Sequence, residues 1–154
     1  MRTVLAAACA FVMISAPGVS VADAPGWHYE YTNGVASATT RDERGKTLAS
    51  ISCAPPTGDI ILRDYTLGRY ANQRNGAANT ASVGIGQNSV NVPATVERIG
   101  RDRVLAIRLP QRPPILAGVQ ERDAITVSVA GHSATYSPGS GPQMRDIAYA
   151  CWGG

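Results

Sequence analysis

The sequence predicts a mainly β protein, an antiparallel β-sandwich or small barrel with one or two short helices and a C-terminal segment tied down by a disulfide. Three observations lead there. Short runs alternate apolar and polar residues at period two, the pattern of strands with one face buried. Turn-forming residues interrupt these runs at the roughly 8–12-residue spacing of all-β domains. Sixteen Gly and ten Pro among 154 residues disfavour long helices. Strands do not alternate with helices, which excludes a doubly wound nucleotide-binding sheet.

The first element is an address. Arg2 supplies a positive start, residues 4–14 are apolar and uncharged, Pro17-Gly18 breaks the run, and Ser20-Val21-Ala22 offers small residues for cleavage. Residues 1–22 therefore read as a signal peptide and residues 23–154 as a single β-rich domain. The apolar run is shorter than the roughly 20 residues of a spanning helix, so stable membrane insertion after cleavage is not expected. Cys9 is followed by Ala10-Phe11 and lacks a lipobox. The expected location is periplasmic or secreted.

The strands follow in order. Residues 27–32 alternate aromatic and polar side chains and meet Asn33-Gly34, the strongest short hairpin signal. Residues 35–40 form its partner. After a charged turn at 42–46, residues 47–53 form a strand with Ala49, Ile51 and Cys53 toward the core. A turn at 55–59 leads to a strand at 60–62. Residues 71–80, rich in Asn, Gly and Ala, read as an exposed loop. Strands at 81–85 and 89–99 join tightly at Gln87-Asn88, and Pro93 marks the second as an edge strand or a bulge. Residues 103–109 form the next strand, and 113–120 a short helix opened by Pro. Residues 124–129 and 132–137 form a hairpin around Gly131. Residues 137–142 read as irregular, and 143–151 as a helix with Met144, Ile147 and Cys151 on one face.

Cysteine chemistry supports export. Cys9 leaves with the signal, and the remaining Cys53 and Cys151 pair as a disulfide in an oxidising compartment. Two cysteines and two histidines at these spacings do not make a zinc site.

Charge excludes one class of partner. The formal net charge is only +3, and Lys46 is the sole lysine. Most Arg residues adjoin acids in sequence, as in Arg63-Asp64 and Arg101-Asp102-Arg103, and read as solvated mixed-charge turns. No nucleic-acid partner is expected.

The search for catalysis finds no constellation. Gly131-His132-Ser133-Ala134 starts like a nucleophile elbow, but Thr135 replaces the final Gly and the context is a hairpin. His28 and His132 lack ligand spacing. Glu30, Asp59, Asp64 and Glu97 are carboxylates that no sequence rule pairs. Gly84-Ile85-Gly86 lacks the third Gly of a dinucleotide fingerprint. No catalytic residue, cofactor or metal is assigned, and a non-enzymatic role is expected. The candidate binding residues are Trp27, Tyr29, Tyr31, Tyr136, Ser140 and Trp152. The disulfide can draw Trp27 and Trp152 into one patch for a partner or glycan. The competing reading makes both core plugs.

The layout resembles small exported proteins of the VasI type, an accessory family of type VI secretion, and related envelope proteins. The resemblance rests on Trp27 opening the first strand, Gly45-Lys46-Thr47-Leu48 leading to Cys53, the strand-Gly element at 124–131, and the ending Met144-Arg145-Asp146-Ile147-Ala148-Tyr149-Ala150-Cys151-Trp152. It covers most of the mature chain as spacing; residues 133–142 and the middle strands depart from it. It implies an exported, non-catalytic accessory protein that contacts other envelope proteins, and it carries no catalytic residue. Tyr136-Ser137-Pro138-Gly139-Ser140-Gly141 is similar to the inhibitory loops of periplasmic lysozyme inhibitors, without the Ala-Arg-Tyr found in one such family. That similarity implies inhibition of a cell-wall hydrolase through this loop. A glycan-binding module is the third expectation.

Overall fold

The computed structural model describes residues 26–54, 56–72 and 79–152. The signal peptide at 1–22 and most of the predicted 71–80 loop lie outside them.

The strands are β1 (Trp27–Thr32), β2 (Val35–Arg41), β3 (Thr47–Ala54), β4 (Asp59–Asp64), β5 (Asn79–Ile85), β6 (Asn88–Ile99), β7 (Asp102–Leu109), β8 (Ile125–Val129) and β9 (His132–Thr135), followed by helix α1 (Ser140–Trp152). All nine strands form one antiparallel sheet in the order β1-β2-β3-β4-β7-β6-β5-β8-β9. The sheet curls into a half-barrel. The chain makes one meander from β1 to β4. It then crosses to β5 and meanders back, so that β7 pairs with β4 and closes the middle of the sheet.

Helix α1 packs against β2, β3 and β4. Met144 and Ile147 are buried, as the helical spacing predicts, and Ala148 with them, while Cys151, the third residue of the predicted face, is half-buried. The helix begins earlier than the sequence suggests, at Ser140. Pro142 falls in its first turn, where a missing N–H costs nothing. Ser140 Oγ accepts the Ile125 N–H at 2.7 Å, and Asp123 O accepts both the Gly139 and Gly141 N–H groups, which ties the helix start to β8. Cys53 and Cys151 form the disulfide that joins α1 to β3, with Cα atoms 5.6 Å apart. The predicted helix at 113–120 shrinks to a single 3-10 turn at Pro114–Leu116: Ala117 already takes extended backbone angles, φ −72° and ψ 127°, and Gly118 follows with a left-handed φ of 73°.

The period-two pattern reaches the core as expected. Ala49, Ile51 and Cys53 of β3 point inward, joined by Ile60 and Leu62 of β4, Leu105 and Ile107 of β7, and Val83 and Ile85 of β5. Asn33 and Gly34 both take positive φ, 52° and 78°, which is the primed turn their sequence favours. Pro93 is a correction. It lies in a central strand, between β5 and β7. Pairing of β6 with β7 begins only at Ala94, so Pro93 faces β5 on one side and precedes the ladder on the other. The strand is an edge locally, at that residue.

Candidate functional site

The six candidate binding residues separate in space. Trp27 is 1% exposed and Tyr136 is 8% exposed. Their rings meet edge to face at 5.9 Å inside the half-barrel. Ser140 is fully buried and spends its hydroxyl on the start of α1. Tyr29 is half-buried, and Tyr31 is 63% exposed on the edge strand β1. Trp152 is half-buried at the far end of α1. Trp27 and Trp152 therefore form no common patch: the first fills the core and the second lines the surface. The segment from Tyr136 to Gly141 folds inward, with Tyr136, Ser140 and Gly141 buried and only Pro138 well exposed.

Beneath Tyr136 lies a polar centre that no sequence rule pairs. Asp64, at the end of β4, is fully buried. Its Oδ2 accepts the Tyr136 hydroxyl at 2.6 Å. Its Oδ1 accepts the backbone N–H groups of Thr66 and Leu67 and the Thr66 hydroxyl. Four donors offset the cost of burying the carboxylate. Burial, with the Asp64 charge second, pushes the Tyr136 hydroxyl well above the ordinary tyrosine range. This centre is saturated and structural.

Two of the other three candidate carboxylates are engaged as well, while Glu30 is exposed on β1. Asp59 pairs with Arg108 at 3.0 Å and Glu97 with Arg63 at 3.0 Å. Arg63 and Asp64 adjoin in sequence yet do not pair, because successive strand residues face opposite sides of the sheet. The local pairing expected from sequence is corrected there. His132 stacks on Tyr70 with ring centroids 3.7 Å apart, and His28 is exposed on β1. Among the described residues, no group of three His, Cys, Asp or Glu side chains is placed to hold a metal ion.

A recess lies beside the C-terminal half of α1. A groove of about 450 Å³ is lined by Arg112, Pro113, Pro114, Leu116, Tyr149 and Trp152, with Ala117 at its margin. Tyr149 is 53% exposed and meets Trp152 edge to face at 6.1 Å. The walls are fixed. The disulfide anchors Cys151, and Trp152 donates its indole N–H to Gly58 O at 2.8 Å. Arg112 stands on the rim at a φ of 51°, a backbone region that non-glycine residues rarely occupy. Trp152 was a sequence candidate; Tyr149 was not, because its ring is one more aromatic on a helix until the fold leaves it uncovered. In sequence the prolines signal only helix punctuation.

Compared with protein families, with curated proteins and with solved structures, the chain matches none.

Proposed function

We propose that the protein is an exported, non-catalytic binding protein that holds another envelope protein in the Tyr149–Trp152 groove. The observation that carries this is the exposed Tyr149 ring beside the half-buried Trp152, over apolar walls and held there by a disulfide and an indole hydrogen bond. Rigid aromatic anchors are what protein interfaces use, since little freedom is lost when they bind. The disulfide supports an oxidising compartment. Among the described residues no helix is long and apolar enough to cross a membrane. The VasI-like layout of the sequence supports an envelope-accessory role.

The chemistry of the groove favours a protein ligand over a glycan. A sugar needs several hydrogen bonds as well as a stacking face. Here Trp152 has committed its N–H to Gly58, so Arg112 and the Tyr149 hydroxyl supply the polar contacts of the lining side chains. The partner segment that fits is an apolar or aromatic side chain for the groove with a carboxylate nearby for Arg112.

The test is a photo-crosslinking amino acid at Tyr149 in the native host, with the same probe at Thr95 on the outer face of β6 as control. The expected result is one envelope protein crosslinked from position 149, not from 95, and lost when Ala117→Trp fills the groove. A cell-wall hydrolase as that protein would identify the role as inhibition. An adduct with glycan, or no adduct beside a working positive control, would overturn the proposal.

A further inference from the structure

A second recess lies at the other end of the strands. It is a cleft of about 570 Å³ where the β2–β3 turn, the chain after β4 and the β6–β7 turn converge. Since β3 runs from Thr47 beside this cleft to Ala54 near the Trp152 end, the two recesses are about 23 Å apart along the strand.

The cleft concentrates charge. Lys46, Arg69, Arg98, Arg101 and Arg103 line it, against only Asp42 and Asp102. Five cations and two carboxylates leave an excess of three positive charges, the formal net charge of the entire chain. Once Arg2 leaves with the expected signal peptide, the residues outside the cleft sum to a formal charge of −1, so the positive excess is gathered in one concavity. One carboxylate is spent on its own turn, the other faces one of the five cations, and the Arg69 guanidinium lies over the Tyr70 ring at 4.7 Å. Asp42 Oδ1 accepts the backbone N–H groups of Arg44 and Lys46, and Asp102 faces Lys46 at 3.9 Å.

The cations are brought together by construction. Gly68 packs so tightly on β7 that a Cβ there would lie 2.2 Å from Arg103 O. Asp64 pins the neighbouring Thr66 and Leu67 N–H groups, and Tyr65 donates its N–H to Leu48 O. These contacts hold Arg69 beside Arg103, although the two are far apart in sequence. A concavity lined by an excess of one sign of charge focuses the field and attracts an anion. Four of the five are arginines, whose planar forks match phosphate oxygens two at a time.

We infer that this cleft is an anion site for a phosphate-bearing ligand, separate from the groove at Trp152. The chemistry is common to a free phosphate compound and a phospholipid headgroup, and the experiment separates them.

The mature protein, labelled with nitrogen-15, is titrated with inorganic pyrophosphate at low salt. In parallel it is sedimented with vesicles of phosphatidylglycerol and phosphatidylcholine, and of phosphatidylcholine alone. The expected result is amide shifts confined to residues 42–48, 65–69 and 98–103, with a dissociation constant below about 1 mM. Binding should weaken at least tenfold in Arg69→Gln/Arg101→Gln and stay unchanged in Arg122→Gln, which removes an arginine outside the cleft. Sedimentation only with the anionic vesicles, lost in the same double variant, would support the cleft with a headgroup as its ligand even if pyrophosphate is silent. Absence of both signals, shifts scattered over the surface, or equal weakening by Arg122→Gln would overturn the inference. The double variant changes only exposed side chains, and an unaltered near-ultraviolet spectrum confirms its fold.

Discussion

Asp64 and Tyr136 show how much one buried pair can decide. They are 72 positions apart, and the 2.6 Å hydrogen bond between them joins the end of β4 to the chain after β9. Because the folded state raises the Tyr136 ionisation well above the ordinary value, its contribution is complete below the unfolded tyrosine pKa of about 10. Above that pH the unfolded chain ionises and the folded chain does not, so stability falls. The wild-type urea midpoint should therefore drop between about pH 9.5 and 11, and Tyr136→Phe should flatten this decline. Equal slopes in the two proteins would show that the hydroxyl does not stay protonated in the fold. None of this was legible in sequence. Asp64 looked like half of an Arg63-Asp64 surface pair, and only strand alternation sends the two side chains to opposite faces.

At the scale of elements, short-range signals served well and long-range ones were invisible. Asn33-Gly34 forms the primed turn it announces, and Ala49, Ile51 and Cys53 line the core as their spacing requires. Period-two patterning cannot say which strand neighbours which. The β4–β7 pairing that closes the sheet depends on contacts across the whole middle of the chain, and so does the central placement of Pro93. The groove was half legible: Trp152 stood out by its residue type, whereas Tyr149 and Arg112 acquire meaning only when the 3-10 turn packs beside α1. The basic cleft was wholly illegible, since its cations come from three separate stretches of chain, two of the cations on strand ends. The β8–β9 hairpin retains a local misfit. Its turn is Ala130-Gly131 with φ of 49° and 79°, so an alanine occupies a left-handed position that Asn or Gly prefers. Ala130→Asn should stabilise the protein by about 0.5–1 kcal/mol, a rise of about 2–4 °C in Tm by calorimetry. No rise would mean the turn relaxes to another form in solution.

At the scale of the whole molecule, one covalent bond ties the C-terminal helix to the third strand. The disulfide spans 98 residues. The chain-entropy model gives about 4–5 kcal/mol for a loop of that length, a large share of what a domain this size has to spare. Cys53→Ser/Cys151→Ser should lower the unfolding free energy by about that amount in urea titration. It should also loosen the Trp152 groove while leaving the basic cleft, at the other end of β3, able to bind pyrophosphate. A loss under about 1 kcal/mol would show that packing of α1, not the bond, holds the C-terminus.

The same bond gives the molecule an uneven response to mechanical load. Tension applied between Trp27 and Trp152 passes along the first strands to Cys53, through the sulfur bridge to Cys151, and out through the end of α1. Only the stretch from Trp27 to Cys53 can peel away and lengthen. Everything from β4 to the penultimate residue of the helix is bypassed by the load path and stays folded. Under such a pull the stretch from β1 through β3 to Cys53 acts as a short extensible lead, and the loop closed by Cys53 and Cys151 can be drawn out only on reduction.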